Sequence, residues 1–350
     1  MEFLRPRTIT EALAVKAANP EAVPIAGGTD VMVELNFARR RPAVLLDLTL
    51  LAELRGWSSD GEWLRVGAGV TYAELTGERT AGRRPGIDRD HGDTNGRGPE
   101  SAGADRGRGP AGGAGGPGSA GADRGRGPAG GAALGARLPG LALAARTVGS
   151  PQIRNRGTIG GNLGSASPAG DCHPCLLASG ALVEAASVRG TRLVPIEDFF
   201  TGVKRNALAP DELITAVRIT PPAGPQQFAK IGTRNAMVIA VAAFALVLHP
   251  GRRSVGTGIG SAAPTPIRAG EAETFLAGTL AAAGLWESRA DLPEPVLTEF
   301  GRLVGAAARP IDDIRGTAAY RRHALSVLAR RTLTWAWQEY AAAGVPAGRN

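Results

Sequence analysis

Two glycine-rich stretches carry the residue types best suited to binding a ligand. AGGTD occupies residues 26–30, directly after the strand-like run VPI, and TIGGN occupies residues 158–162. Adjacent glycines allow positive φ angles and a close approach of the backbone to a ligand. Successive N–H groups in such turns form a concave nest for the oxygens of an anion. One glycine pair alone is typical of a simple turn, but two distant pairs together predict a diphosphate held from both sides.

Polar side chains beside the glycines could complete such a site. Hydroxyl, amide and carboxylate groups flank the two pairs at Thr29, Asp30, Thr158, Asn162, Ser165, Ser167 and Asp171. Hydroxyls could bind a phosphate or a ribitol chain, Asn162 could hold its loop by bonding the backbone, and Asp171 could accept hydrogen bonds from sugar hydroxyls. Neither stretch is a G-x-G-x-x-G, and the chain has no Walker A sequence. The sequence therefore indicates a ligand held outside a Rossmann unit or a P-loop.

The two cysteines of the chain, Cys172 and Cys175, stand in the run DCHPC directly after these loops. A Cys-x-x-C at a helix start could be a redox pair, and with His173 it could be part of a metal site. A zinc or iron–sulfur site usually takes four ligands, however, and no third cysteine exists. We therefore expect the pair to pack the start of a helix.

Composition limits the classes of protein to which the chain can belong. The 350 residues are 43% hydrophobic and 21% charged, which is typical of a globular protein of two or three domains. The net charge is +8, but the basic residues are scattered and aromatic residues make up only 5%, which argues against a nucleic-acid surface. We find no membrane span and no signal peptide, and two cysteines make a reducing cytoplasm the expected location.

Residues 81–135 differ in kind from the rest of the chain. Nineteen of these 55 residues are glycine, and SAGADRGRGPAGGA occurs identically at 101–114 and 119–132. Such a composition cannot bury enough apolar surface to offset the entropy of ordering it. We predict a disordered insertion or tandem duplication. Its RGRG tracts could contact RNA, but a plain linker is the favoured interpretation.

The flanking regions show alternating helix and strand signals. Thr8 and Glu11 predict a capped helix over EALAVKAAN, and VPIAGG, AVLLDL, WLRVGAGV and ELITAVRI read as strands. LPGLALAARTV predicts a helix, TIGGNLG a loop, and PCLLASGALVEAASV a helix followed by a strand. MVIAVAAFALVLHP could be a strand or a buried helix, because periodicity alone does not decide. A proline-rich stretch at 221–225 predicts a domain boundary, and the chain ends in a long amphipathic helix.

Five stretches in this order resemble one family. They are AGGTDVMVELN, TVGSPQIRNRGTIGGNLGSASPAGD, FAKIGTRNAM, PTPIRAGEAE and DDIRGTAAYRRHAL. Together they resemble the FAD-binding medium subunit of the molybdenum hydroxylases, which include carbon monoxide and xanthine dehydrogenases. The resemblance implies an α+β fold. A two-subdomain FAD-binding domain of the vanillyl-alcohol-oxidase/PCMH type would span 1–222, interrupted by 81–135, and a smaller α+β C-terminal domain would span 223–340.

The resemblance also implies roles for individual residues. Ala26, Gly27, Gly28, Thr29 and Asp30 would line the FAD diphosphate, and Thr158, Ile159, Gly160, Gly161 and Asn162 would form the second clamp. Ser167 and Asp171 would lie beside the ribitol and diphosphate, and Ile214 near the flavin or adenine. Lys230 would lie near the isoalloxazine, where a cation would stabilise negative charge on the reduced ring. No catalytic residue and no metal ligand is expected in this chain.

The resemblance finally implies partners. The family's electron path includes two [2Fe–2S] clusters and a molybdopterin cofactor, and two cysteines cannot ligate two clusters that take four each. The clusters and the molybdopterin would therefore lie on a small and a large partner subunit. Electrons would pass to NAD, a quinone or another acceptor. A stand-alone FAD oxidoreductase of the same fold and a non-catalytic RNA-binding or scaffold protein remain the alternatives.

Overall fold

The computed structural model describes residues 1–77 and 130–343. The duplicated SAGADRGRGPAGGA sequence and most of the predicted insertion lie outside the described residues. Three units follow one another along the chain: a small parallel sheet, a five-stranded antiparallel sheet with short helices, and a C-terminal sheet with long helices. Among the described residues, no helix has both the length and the apolar character needed to cross a bilayer.

The first unit is a three-stranded parallel sheet with two helices. Its elements are β1 (Glu2–Leu4), α1 (Ile9–Ala18), β2 (Val23–Ile25), α2 (Val31–Asn36) and β3 (Val44–Asp47), with strand order β1-β3-β2. As predicted, the Thr8 hydroxyl begins α1 by accepting the Glu11 N–H. Leu46 and Ala12 are fully buried between the sheet and α1. Within this unit, strand β2 ends at the predicted AGGTD turn.

The second unit is a five-stranded antiparallel sheet of order β4-β5-β10-β6-β7. Its strands are β4 (Trp57–Asp60), β5 (Trp63–Gly67), β6 (Leu182–Ser187), β7 (Gly190–Pro195) and β10 (Leu213–Ile219). A two-stranded ribbon is formed by β8 (Phe200–Gly202) and β9 (Arg205–Asn206). The central strand β10 is buried along nearly its whole length, which explains the mostly apolar run LITAV, in which Thr215 is the one polar residue.

In the described part of this unit, seven short α-helices accompany the sheet. They are α3 (Tyr72–Thr76), α4 (Gly130–Arg137), α5 (Pro139–Arg146), α6 (Pro151–Arg154), α7 (Ile159–Ser165), α8 (His173–Ala178) and α9 (Ile196–Phe199). The loop predicted over TIGGNLG is wrong, because these residues form the helix α7. The glycines lower the helix propensity of this stretch, so the sequence does not predict a helix. Gly160 is nevertheless required by packing, because a Cβ at this position would lie 2.6 Å from the Cβ of Ala68.

The predicted insertion reaches too far towards the C-terminus. Residues 130–135 belong to α4, and Leu134 is 1% exposed in the same core cluster as Leu75 of α3. Gly135 packs directly on α3, since a Cβ there would lie 2.7 Å from the Leu75 carbonyl oxygen. The second copy of the duplicated sequence, which ends at residue 132, therefore runs into an element of the fold.

The third unit is a three-stranded antiparallel sheet covered by helices. The strands β11 (Gln226–Ile231), β12 (Ala242–His249) and β13 (Ser254–Gly260) pair in sequence order, and the helices are α10 (Gly270–Ala282), α11 (Leu285–Ser288), α12 (Glu294–Ala307) and α13 (Ala318–Ala342). Within the ambiguous run MVIAVAAFALVLHP, the residues AAFALVLH form the central strand β12, which is buried at every position. Its second face meets Phe300 and Leu325, so both faces require apolar residues. The predicted α+β class, with a two-part first domain and a smaller second one, is confirmed.

Candidate functional site

The first segment, residues 26–30, turns the chain from β2 into α2. Gly28 has φ +76°, a left-handed conformation that glycine adopts without strain. The backbone amides of Gly28, Thr29 and Asp30 have no hydrogen-bond acceptor among the described residues, and the Asp30 side chain does not cap α2. Three successive N–H groups of the described residues are therefore unpaired, an arrangement that suits an oxygen-rich ligand.

The second segment, residues 158–162, begins two residues after Arg156. The Arg156 carbonyl contacts Gly27 of the first segment, and this contact is called the junction. A Cβ on Gly27 would lie 1.8 Å from the Arg156 carbonyl oxygen, so only glycine permits this backbone approach. The Arg156 guanidinium also donates its Nε–H to the Gly27 carbonyl at 3.4 Å, across 129 residues of sequence. The fold thus brings the two predicted segments together.

The second segment does not offer the nest of N–H groups that the sequence predicts. The amides of Ile159 and Gly160 donate to the carbonyls of Val70 and Ala68 at 3.0 and 2.9 Å. The next amide, that of Gly161, donates to the Thr158 hydroxyl at 3.0 Å, which is the N-cap of α7. These bonds fix α7 against the end of β5. Because the three amides already have acceptors, only side chains of this segment remain available to bind a ligand.

Two of the predicted side chains do present unpartnered polar atoms. Asn162 Oδ1 and Asp171 Oδ1 are buried and have no hydrogen-bond partner. Asn162 lies on α7, and Asp171 follows the turn in which Ser167 accepts the Ala169 N–H at 3.3 Å. Buried oxygens of this kind are normally satisfied, so these two are candidates to accept a hydrogen bond from a ligand.

Lys230 of β11 is tied to Asp171 rather than standing free. Its Nζ donates to Asp171 Oδ2 at 2.7 Å and to the carbonyls of Thr147 and Val238 at 2.9 and 3.3 Å. Both side chains are about nine-tenths buried. Burial raises the pKa of Asp171, and the Lys230 charge acts in the opposite direction. Lys230 is therefore one half of a buried ion pair that links the second and third units.

Of the remaining predicted residues, Ile159 and Ile214 pack against α7, and Ser167 lies in the turn that follows it. Ile214 of β10 is 8% exposed and lies beneath α7, with its Cδ1 3.9 Å from where a Gly164 Cβ would lie. Ile159 is fully buried, so its side chain supports α7 from the core. Ser167 precedes Asp171 in the turn that connects α7 with α8. Arg156, Asn162 and Asp171 lie along one stretch of the second unit, which contacts Gly27 of the first unit and Lys230 of the third.

Two polar side chains at the same place escaped the sequence interpretation. The hydroxyl of Tyr72 and the imidazole of His173 are buried, the hydroxyl beside the Cys172 thiol and the imidazole beside the backbone of Asn162 and Ser167. The Nε2 of His173 lies 3.2 Å from the Asn162 carbonyl oxygen, and burial lowers the pKa of this histidine to about 4. Tyr72 could have been noticed, because the run TYAE is a capping box that begins α3 at this tyrosine.

The cysteine pair packs the core, as expected. Cys172 and Cys175 are 1% and 3% exposed, and both thiols are free. Burial raises the pKa of both thiols, which disfavours the reactive thiolate. The Cys175 thiol donates to the Gly140 carbonyl at 3.2 Å. Residues 1–77 and 130–343 contain no group of three or more His, Cys, Asp or Glu placed to hold a metal ion.

The described residues form a two-part α+β domain, in which two distant loops meet at Gly27 and Arg156, followed by a smaller α+β domain. Two family models match this chain. The FAD binding domain in molybdopterin dehydrogenase matches residues 1–101 and 128–222, and the CO dehydrogenase flavoprotein C-terminal domain matches residues 227–336. The chain therefore belongs to the family of FAD-binding subunits of the molybdopterin dehydrogenases, the xanthine and carbon monoxide dehydrogenase type of oxidoreductase.

Individual relatives agree with this assignment. The chain is 29% identical over 280 residues to the xanthine dehydrogenase FAD-binding subunit of Escherichia coli O157:H7, which covers 77% of each chain. It is 27% identical over 337 residues to the carbon monoxide dehydrogenase medium chain of Afipia carboxidovorans, covering 95% of each. The solved structure of reconstituted CO dehydrogenase from Oligotropha carboxidovorans matches with a TM-score of 0.74 and 26% identity, over 97% of this chain and 98% of that one. The cyanide-inactivated Cu,Mo-CO dehydrogenase gives the same values.

Proposed function

We propose that the chain is the flavin electron-transfer subunit of a molybdenum-containing hydroxylase or dehydrogenase. The observation that carries the proposal is the set of unpartnered groups at one place. The free amides of residues 28–30, Asn162 Oδ1 and Asp171 Oδ1 lie on the two sides of the Gly27–Arg156 junction. When bound, FAD collects electrons and passes them on to an acceptor, which we propose to be NAD or a quinone.

The donor and acceptor chemistry of these groups fits FAD. The N–H groups of the first segment are donors and suit the phosphate oxygens. The oxygens of Asn162 and Asp171 are acceptors and suit ribitol hydroxyls or the N–H edge of a flavin. Thr158, Gly160 and Gly161 would hold Asn162 in position, while Ile159 and Ile214 support α7 from below. Ala26, Thr29 and Ser167 complete the proposed lining.

The ion pair sets the charge that a bound flavin would meet. Lys230 is neutralised by Asp171 and held by three acceptors, so its Nζ cannot swing without breaking buried bonds. We propose that the pair positions both groups and that Lys230 contributes a fixed, partly compensated positive charge.

Partner subunits follow from what the chain can ligate. Both cysteines are committed to the core, and a [2Fe–2S] cluster takes four ligands. Relatives of the chain are named as a medium chain and as a FAD-binding subunit, and one matched structure is a Cu,Mo enzyme. We therefore propose a small iron–sulfur subunit and a large molybdopterin subunit as partners. Two free thiols also support a reducing, cytoplasmic location.

Replacement of Asn162 tests the assigned site. Because Asn162 Oδ1 bonds nothing in the protein, Asn162→Ala should leave the stability of the apoprotein unchanged and raise the Kd for FAD about threefold to tenfold, the loss of one hydrogen bond. FAD fluorescence during titration measures the Kd, and thermal unfolding measures stability.

Asn19→Ala is the matched control. The Asn19 amide donates to the Val15 carbonyl at 3.1 Å at the end of α1, so this variant should lose stability and keep the wild-type Kd. An Asn162→Ala variant that binds FAD as tightly as the wild type would refute the assigned site. Co-purification of the wild type with two further chains would support the subunit role, and isolation as an active stand-alone oxidase would contradict it.

A further inference from the structure

Arg321 of α13 is a buried arginine that bonds two loops of the third unit. The residue is 4% exposed. Its Nη1 donates to the Ser261 carbonyl at 2.5 Å, and its Nη2 donates to Asp313 Oδ1. A buried guanidinium is costly unless it is paired and hydrogen-bonded in this way. Because the guanidinium is planar, it holds the carbonyl and the carboxylate in one fixed geometry.

Ser261, directly after β13, has a backbone conformation that residues with side chains rarely adopt. Its φ is +62°. Such a conformation persists where the surrounding structure holds it. The bond from Arg321 holds the carbonyl of Ser261, and its N–H donates to the Pro168 carbonyl at 2.9 Å. Ser261 is therefore fixed between α13 of the third unit and a turn of the second.

Pro168 lies in the turn 167–171, which carries Ser167 and Asp171, two of the residues assigned to FAD. A backbone bond of 3.0 Å and a bond of 3.3 Å to the Ser167 hydroxyl close the turn. Lys230 holds its far end, because its Nζ donates to Asp171 Oδ2 at 2.7 Å. The third unit thus bonds the turn at two points, Pro168 and Asp171.

The rest of β13 is fixed to the second unit independently of Arg321. A Cβ on Gly256 would lie 2.0 Å from the Ala178 carbonyl oxygen, and a Cβ on Gly258 would lie 2.0 Å from the Pro174 carbonyl oxygen. The strand therefore packs on α8 through direct backbone contact. Loss of the Arg321 bond should release the end of β13 at Ser261 and leave this packing in place.

We propose that Arg321 is a positioning residue of the flavin site, which acts through Ser261 and Pro168 on the turn that carries Asp171. The inference rests on the proposed function and adds α13 to the elements that shape the site. Without Arg321, Ser261 is free to leave its left-handed conformation, and its N–H bond to Pro168 weakens. Asp171 is then held by Lys230 alone of the two third-unit contacts, and its carboxylate shifts relative to the rest of the site.

Hydrogen exchange of the apoprotein tests the first step without any flavin. In Arg321→Met, the Ser261 amide should exchange about tenfold faster or more, because the bond that holds its carbonyl is lost. The Leu248 amide of β12, which donates to the Pro225 carbonyl at 3.0 Å, should exchange as in the wild type. An unchanged rate at Ser261 would overturn the inference.

Arg289→Met is the matched control for the loss of an arginine from the third unit. Arg289 Nη1 donates to the Tyr340 carbonyl at 3.2 Å, so this variant also loses a bond to a backbone carbonyl. Both variants should lower the Tm of the apoprotein. Arg289→Met should nevertheless keep the wild-type exchange rate at Ser261 and the wild-type Kd for FAD.

A double-mutant cycle with Asp171→Asn tests the second step. Arg321→Met should raise the Kd for FAD about threefold to tenfold when Asp171 is present. In the Asp171→Asn background the same change should raise the Kd less than about twofold, because the carboxylate that Arg321 positions is already lost. Equal increases in both backgrounds would mean that Arg321 acts independently of Asp171, and would overturn the inference.

Two further results keep the test decisive. If Arg321→Met does not fold, Arg321→Lys enters the same cycle, since it keeps the charge beside Asp313 but lacks the planar fork. A wild-type Kd in Arg321→Lys would then overturn the inference and leave the proposed function intact. A wild-type apoprotein that fails to bind FAD would overturn the proposed function and the inference together.

Discussion

At the scale of single residues, the contact between Gly27 and the Arg156 carbonyl is the feature on which the site depends. It places the free amides of residues 28–30 beside α7, and the approach leaves no room for any side chain at position 27. The neighbouring Gly28 has a different role, since its φ of +76° is required by the turn itself. Two adjacent glycines thus serve two separate needs, one steric and one conformational.

Replacement of Gly27 should separate the two segments. In Gly27→Ala, the new Cβ would lie 1.8 Å from the Arg156 carbonyl oxygen, so the backbones must move apart by more than 1 Å. We expect the Kd for FAD to rise by about tenfold or more, because donors and acceptors on the two sides no longer match one ligand. Equilibrium titration of the apoprotein measures the change.

Gly278→Ala provides the control for a glycine that has no such contact. This position lies in α10, where a Cβ would meet nothing within 4 Å, so the variant should be unchanged or slightly more stable and should bind FAD normally. Equal affinities of Gly27→Ala and Gly278→Ala for FAD would show that the junction does not form part of the site.

At the scale of elements, a buried carboxylate fastens the central strands of the five-stranded sheet. Glu184 of β6 accepts hydrogen bonds from Arg65 of β5 at 2.7 Å and from Arg218 of β10 at 2.9 Å. It also accepts the Thr215 hydroxyl at 2.7 Å. Burial alone would raise the pKa of Glu184, but these bonds, from Arg65 foremost, lower it to about 2. The carboxylate therefore stays charged throughout the neutral range and joins three strands.

Removal of this carboxylate should weaken the sheet that carries the site. Glu184→Ala leaves two guanidinium groups, each about one-third exposed, without their anion. We expect a loss of about 2 kcal/mol or more in the free energy of unfolding, measured by urea denaturation. Glu299→Ala, which breaks the exposed Glu299–Arg302 pair on α12, should cause no measurable loss. Equal stabilities of the two variants would contradict this role of Glu184.

The elements show which features of the fold can be read from sequence. Strands β2, β3, β5 and β10 and the helices α1 and α13 were predictable, because apolar runs, caps and breakers mark them locally. Helix α7 was not, since its glycines lower helix propensity and only the close packing on Ala68 explains them. Glycine and hydroxyl patterns indicated the two segments, and the family resemblance indicated Lys230. They could not show that Lys230 pairs with Asp171, because this contact joins two distant elements.

At the scale of the whole molecule, the duplicated sequence interrupts a domain whose two parts still pack together. The FAD-binding family model matches up to residue 101 and resumes at residue 128, so residues 102–127 lie outside it. The chain re-enters the fold at α4, where Leu134 is buried and Gly135 touches α3. The C-terminal limit of a deletion that preserves the fold is therefore the start of α4, and not the end of the glycine-rich composition.

Two deletions should behave differently. Deletion of residues 102–127 should leave the Kd for FAD within about twofold of wild type, because loop-closure entropy depends only weakly on loop length. Deletion of 81–135 also removes the first part of α4 and the fully buried Leu134, and should lower stability by about 3 kcal/mol or more. Thermal unfolding and FAD titration of both proteins check this. Loss of FAD binding in the shorter deletion would show that residues 102–127 contribute to the site.

The stoichiometry of FAD in the purified protein tests the central claim most directly. The absorbance spectrum of the full chain, after incubation with FAD and removal of the excess by gel filtration, measures the bound flavin per chain. A site formed by the junction, Asn162 and the buried Asp171–Lys230 pair predicts one FAD per chain, with its fluorescence changed by binding. A colourless protein after the same treatment would contradict the account.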